Sequence, residues 1–186
     1  MAEPELDPTR VRFDPLQGDD LPLLHAWLHR EHVAAWWRER PTYAEVVAEY
    51  TPCIAGETPT RCYLVIYEDA PIGYIQRYRL ADEPDYARAV TVAEDAVGVD
   101  LFIGEARYLH RGLGSAALRR FVCEIVFAAE DVVSCIIGPE PANRAAIRAY
   151  EKVGFRYLKT IRVPGEETPE YLMRLGREDL TNGGPQ

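Results

Sequence analysis

Residues 97–104 read VGVDLFIG and residues 132–138 read VVSCIIG, two short apolar runs with the length and β-branched content of buried strands. Between them lies GLGSAALRRFVCEIVFAA, in which Leu113, Ala117, Leu118, Phe121, Val122, Ile125 and Val126 fall on one helical face. Two strands joined by a helix of that length pair in parallel, with the helix crossing over one face of the sheet. This single unit places the chain in the α/β class.

The remaining segments are arranged around that unit. A strand is expected near 11–13, and Asp19 and Asp20 are N-cap candidates for a helix carrying Leu21, Leu24, Trp27 and Leu28. Thr42 to Glu45 has the capping-box form and opens a second helix that Pro52 is expected to end. RCYLVIY (61–67) and IGYIQRYR (72–79) read as a hairpin around EDAP, followed by a polar loop over 81–89. NRAAIRAYEKVGF (143–155) is a helix with Gly154 at its C′ position, and two late strands follow near 155–163 and 171–175. No repeat or long linker interrupts this order, so one domain is expected over 10–178, with tails at 1–9 and 179–186.

Composition removes several classes. The sum of 21 Lys+Arg against 30 Asp+Glu leaves a net charge of −9, which opposes a nucleic-acid binder and favours a cationic partner or a simply soluble surface. Cys53, Cys62, Cys123 and Cys135 show no CxxC spacing and read as reduced thiols of a cytoplasmic protein. The longest apolar stretch, FVCEIVFAA, is too short for a membrane span and contains Glu124, and the acidic N-terminal stretch has no signal-like apolar core. His25, His29 and His32 have spacings that could serve a zinc ion, although no Cys or Asp partner is evident.

His110-Arg111-Gly112-Leu113-Gly114-Ser115 lies between strand and helix. Glycines there let main chain approach a ligand while free N–H groups and the positive end of the helix face it, an arrangement suited to phosphate. An ordinary connecting turn has the same look, and no Walker lysine is present. Asn143, Ala146 and Tyr150 share one helical face, with Ala146 small enough to leave room beside it; an N-cap and a packing tyrosine are the purely structural alternatives.

In order and spacing, VGVDLFIG, RGLGS, VVSCIIG and NRAAIRAYEKVGF together resemble the acetyl-CoA-binding core of the Gcn5-related N-acetyltransferases. The resemblance implies a mixed, splayed central sheet with helices on both faces. It implies that the glycine turn holds pyrophosphate, that Leu101, Phe102 and Ile103 border pantetheine, and that Asn143, Ala146 and Tyr150 line the thiol end. Leu109 stands where the family often has Gln or Arg, a position of little weight for main-chain capture.

Over most of residues 10–175 the chain further resembles the aminoglycoside 6′-N-acetyltransferases, through WWRERPTYAEVVAEY, APIGYIQRY and GVDLFIG. That resemblance places Trp36, Trp37, Tyr50, Gln76 and Asp100 at the acceptor. Glu94, Asp95 and Asp100 offer carboxylates for ammonium groups, and tryptophan faces suit sugar rings. The family usually has an acceptor-binding Asp where this chain has Gly138; Glu140, two residues on, is the available substitute.

The implied chemistry has Asp100 as base toward the acceptor amine, main-chain N–H of Leu101 or Phe102 polarising the thioester, and Tyr150 as acid toward the leaving thiolate. Two alternatives stay open: acylation of a hydroxylysine-type siderophore precursor or other small amine, and a non-catalytic acyl-CoA or antibiotic binder.

Overall fold

The computed structural model describes residues 6–38, 40–92 and 95–181. Seven strands form one sheet in the order β1-β2-β3-β4-β5-β7-β6: β1 (Val11–Pro15), β2 (Arg61–Tyr67), β3 (Ala70–Arg79), β4 (Ala96–Ile103), β5 (Ser134–Ile137), β6 (Arg156–Ile161) and β7 (Glu170–Gly176). Every neighbour pair is antiparallel except β4 and β5, the pair predicted from the crossover helix.

That parallel ladder is short. It runs Ala96↔Ser134, Val97↔Cys135 and Gly98↔Ile136, after which β4 continues to Ile103 along β3 alone. The sheet therefore splits between its two central strands from Val99 onward, and main-chain groups on that edge of β4 face a gap that a ligand can fill.

Helices cover both faces. On one lie α1 (Leu21–Leu28), α2 (Glu31–Trp37) and α3 (Tyr43–Ile54), which bury Leu24, Trp27, Leu28, Val33 and Val46 against Leu64, Ile66, Tyr74 and Phe102. On the other, α5 (Leu113–Phe121) and α6 (Arg144–Val153) pack Leu118, Phe121, Ile147 and Val153 onto Val65, Ile75, Val97 and Met173. The two-residue repeat of the strands sends alternate side chains into these two cores, so both faces of one sheet are buried.

Four local expectations change. The segment 81–89 is not simply loop: Pro84 occupies the first turn of a short helix, α4 (Pro84–Val90), that buries Val90. Pro52 does not end α3, which continues to Ile54; in a last turn proline removes only one main-chain bond. The long helix after the glycine turn changes pitch at Val122–Val126, where Phe127 N–H bonds Val122 C=O and the wider turn keeps Val122, Val126 and Phe127 all buried. The order also extends past both expected tail boundaries. Leu6 packs on the core, Asp7 caps Pro8–Arg10 and donates its main-chain N–H to Tyr67 Oη at 3.0 Å, while Arg177–Thr181 forms a final helix, α7.

The front helices are tied to the end of β4 by polar contacts. Trp27 Nε1 donates to Glu105 Oε1 at 2.9 Å, Arg30 pairs with Glu105 at 2.9 Å and donates to Gly104 C=O at 2.8 Å, and His32 Nε2 lies 3.1 Å from the carbonyls of Ile103 and Gly104. Cys53 and Cys62 are free thiols in contact at 2.6 Å between α3 and β2, and burial pushes Cys62 up to about 12, so that thiol stays protonated.

Gly104 has no room for a side chain: a Cβ there would lie 2.3 Å from the indole of Trp27, which is wholly buried and cannot swing away. Gly104→Ala is expected to cost about 1–3 kcal/mol by overpacking, read as a lower urea midpoint and a shifted tryptophan emission in the native state.

Candidate active site

The antiparallel register of β3 and β4 sets Gln76 directly opposite Asp100, two residues beyond the last parallel pair, Gly98↔Ile136. Gln76 Nε2 donates to Asp100 Oδ2 at 2.9 Å, and Tyr74 Oη donates to Gln76 Oε1 at 2.7 Å. The chain Tyr74–Gln76–Asp100 leaves the amide no freedom to flip, since each end has one compatible partner. Asp100 stays partly open to the cleft but is crowded by protein on its other sides. Burial raises its pKa above the ordinary aspartate value, against the opposing pull of the Gln76 bond. A carboxylate with a raised pKa is a stronger proton acceptor than a free aspartate.

Tyr150 belongs to α6, on the other side of the sheet. Asn143 starts that helix by accepting the Ala146 N–H at 3.1 Å, and Gly154, at φ 115°, ends it with bonds to Glu151 and Tyr150 carbonyls. Burial and then the Asp100 charge both raise the Tyr150 phenol, so it remains a proton donor, and the second cause puts the two side chains within electrostatic reach across the split. Both readings of Asn143 are compatible: Oδ1 is used by the cap, and Nδ2 is the part that can donate to a ligand.

At the glycine turn, His110 (φ 59°) and Gly112 (φ 84°) are left-handed, and Gly112 is the N-cap of α5. Ala116 N–H returns to Gly112 C=O at 3.0 Å and Ser115 Oγ donates to the same oxygen at 2.9 Å, so the turn is closed on itself and the preceding N–H groups point outward. A shallow cleft of about 210 Å³ beside it is lined by Arg111, Gly112, Ser115, Arg119 and Lys152. Three cations and a helix start converge there, an arrangement that fits phosphate groups. Leu113 is buried, so it can serve a ligand only through its main chain, and Phe102 likewise faces the α1–α3 core; Ile103 lies beside Gly114, where an added Cβ would come 3.7 Å from Ile103 Cγ1.

The acceptor-side expectations divide. Trp36 is 43% exposed and presents its ring outward, whereas Trp37 is inserted against Phe102 (5.0 Å between centroids) and Tyr74 (6.2 Å). Tyr50 is buried edge-on against Tyr74 at 5.7 Å, so it supports the wall rather than forming its surface. Asp95 is misplaced as an acceptor carboxylate. It precedes β4, about 17 Å along the strand from Asp100, and pairs with Arg79 at 2.8 Å, which also holds Asp131 at 2.7 Å. Glu94 lies outside the described residues. Glu140 is engaged by Arg38, whose Nη2 donates to Oε2 at 2.8 Å, and this pair holds its carboxyl below the usual range. It ties the end of α2 to the loop after β5 instead of standing free in place of a residue-138 carboxylate.

The zinc alternative fails locally. His32 is spent on main-chain carbonyls, His25 and His29 stack at 4.4 Å, and among the described residues no group of three metal-ligating side chains converges.

Known proteins share this sequence pattern and fold. The acetyltransferase (GNAT) domain family matches residues 17–163. The chain belongs to the GNAT acetyltransferase family. It is 33% identical over 148 residues to the aminoglycoside N(6′)-acetyltransferase type 1 of Klebsiella pneumoniae, covering 78% of this chain and 73% of that protein. Among solved structures, the aminoglycoside acetyltransferase AAC(6′)-Ib bound to coenzyme A superposes with a TM-score of 0.80 at 29% identity, covering 92% of this chain and 98% of the other. A complex of that enzyme with coenzyme A and kanamycin gives 0.78, again at 29% identity, with 92% and 98% covered. The GNAT protein described here is an acetyl-CoA-dependent N-acetyltransferase.

Sequence reasoning missed Arg119 and Lys152 beside the turn, although Arg119 stands two helical turns beyond Gly112 and was visible in principle. It also missed Glu170, which the pairing of β7 with β5 brings to the end of β5, and Tyr78 on β3 and Tyr86 on α4, which lead to it.

Because the Gln76 bond lowers the Asp100 pKa, Gln76→Leu should raise it further. The Asp100 carboxyl ¹³C shift, followed against pH, is expected to titrate at a higher midpoint in the variant, and the acidic limb of kcat/KM should move upward with it.

Proposed function

We propose that this enzyme transfers an acetyl group from acetyl-CoA to the 6′-amine of an aminoglycoside. The observation that carries the proposal is the split between β4 and β5, with Asp100 on one side and the Tyr150 phenol on the other. Acetyl-CoA supplies an activated thioester. The residues of this chain have three tasks toward it.

Main-chain N–H groups of the turn, with Arg111, Arg119 and Lys152, hold the phosphates; the open edge of β4 at Leu101, Phe102 and Ile103 receives the pantetheine arm, with Asn143 and Ala146 opposite. Such main-chain donors, fixed in place before the reaction, stabilise negative charge on the carbonyl oxygen without reorganising. Asp100, anchored by Gln76, pairs with the acceptor ammonium and removes its proton, which frees the nitrogen lone pair for attack. Tyr150 Oη, kept protonated by its surroundings, gives a proton to the departing sulfur. Direct transfer between two bound substrates requires no covalent enzyme species, and its gain comes from orientation.

The acceptor assignment draws on the relatives: proteins named for aminoglycoside N(6′) acetylation and, over a shorter stretch of 67 residues at 37% identity, a kanamycin resistance protein of Rhizobium radiobacter. The chemistry of this chain agrees. A net charge of −9 draws a polycation toward the protein, Asp100 meets its amine, and the exposed ring of Trp36 can cover a sugar face. With free cysteines and an intracellular donor substrate, the cytoplasm is the proposed place of action.

Thiol release from acetyl-CoA, measured with aminoglycosides, hydroxylysine and simple polyamines and with the acetylated position assigned by NMR, should show turnover with the aminoglycosides; turnover confined to hydroxylysine would transfer the enzyme to siderophore-type chemistry. Tyr150→Phe is expected to lower kcat by about 10²-fold or more with little change in acetyl-CoA affinity. Paired Arg119→Ala and Lys152→Ala substitutions should do the reverse, weakening coenzyme A binding by about tenfold or more in calorimetry, with wild-type kcat at saturation.

A further inference from the structure

We infer that Glu170 determines acceptor specificity by binding a second ammonium group of the acceptor, beside the one that Asp100 meets. This rests on the polyamine-sugar reading above and names the residue that makes a second amine matter.

Glu170 begins β7, which runs antiparallel to β5. Tyr171 N–H donates to Pro139 C=O at 2.8 Å just past the end of β5, so the Glu170 side chain is delivered to Gly138, at the same end of β5 where the sheet splits. A Cβ at residue 138 would lie 2.2 Å from Glu170 Oε2 and 2.9 Å from its Cδ. The carboxylate thus fills the space that any side chain at 138 would occupy, and glycine is what admits it.

Its position is fixed from the opposite side. Tyr86 on α4 donates to Glu170 Oε2 at 2.7 Å, the Tyr86 ring packs on that of Tyr78 at 6.1 Å between centroids, and the Tyr78 ring lies over Gly98, where an added Cβ would come within 2.3 Å of it. Gly98 is the last residue of β4 paired with β5, two before Asp100. A continuous wall therefore leads from Asp100 through Tyr78 and Tyr86 to Glu170.

The electrostatics of this wall are incomplete without a ligand. Burial pushes Glu170 up to about 7 against the Tyr86 bond, and the nearby charges that act on it are the carboxylates of Asp100 and Glu166. Among the described residues no cation forms an ion pair with it. Two carboxylates held in one partly buried cleft without a cation are unfavourable for the fold, and glutamine would keep the Tyr86 bond at no such cost. A ligand with two ammonium groups satisfies both, each through a charge-assisted hydrogen bond. A monoamine satisfies only Asp100.

The test compares neamine, which carries several amines, with 6-amino-6-deoxyglucose, which carries one. In Glu170→Gln, KM for neamine should rise by about tenfold, while KM for the monoamine and for acetyl-CoA stays near its wild-type value. A Gly138→Asp/Glu170→Ala double variant, which returns a carboxylate to the same space from β5, should recover the preference for neamine that Glu170→Ala alone loses; that comparison decides the matter if Glu170→Gln folds poorly. Unchanged neamine KM in Glu170→Gln, or an equal rise for both acceptors, overturns the assignment and leaves Glu170 a supporting residue of the wall. Absence of wild-type turnover with every aminoglycoside overturns the acceptor reading itself, and with it this inference.

Discussion

The site depends on one incomplete set of hydrogen bonds. β4 and β5 pair in parallel for only three residues and then separate, while β4 continues along β3 to Ile103. An unpaired strand edge in the middle of a sheet is costly when buried without a partner. Here the cost is tolerated because both faces are covered by helices that do not need the gap closed, α1 to α3 on one side and α5 with α6 on the other. In the proposed mechanism the same gap lets an acidic side chain on one face and a phenol on the other act on a common point, which a continuous sheet would forbid.

Some charged groups tie the scaffold together, and others gather at the two proposed substrate ends. Arg30 with Glu105 and Arg38 with Glu140 join segments distant in sequence, and Arg79 with Asp95 and Asp131 ties the end of β3 to the segments just before β4 and β5, at the end of β4 away from the cleft; these carboxylates are already paired. Arg111, Arg119 and Lys152 gather at the start of α5, and Asp100 and Glu170 face the split. On the proposed function, the two ends of one path carry opposite signs, cationic toward the donor's phosphates and anionic toward the acceptor's amines. Each end favours one substrate and disfavours the other.

Much of this was legible in the residues. Gly112 and Gly114 before an amphipathic helix, Asn143 and Tyr150 seven apart, and Asp100 within VGVDLFIG sit where their spacing required, because local periodicity and turn chemistry act over a few residues. Carboxylates were harder to assign. Asp95 and Asp100 look alike in sequence, yet one is bound by Arg79 beyond the strand's start while the other faces the cleft. Trp36 and Trp37 are adjacent, and a helix rather than a loop carries them, so a turn of about 100° sends one outward and the other into the Tyr74–Phe102 cluster.

By itself, the sequence determined the α/β class, the parallel β4–β5 unit, the glycine turn and the helix that carries Tyr150, since each is set by patterns of neighbouring residues, while Asp100 was singled out by the family resemblance. Only the tertiary structure decided which acidic groups are free. Arg38 reaches Glu140 across more than a hundred residues of chain, and β7 carries Glu170 into the space above Gly138. Ion pairing and steric exchange act through space between segments whose proximity no local pattern encodes, so the turn and the helix faces were readable from the residues and the partners of the charged groups were not.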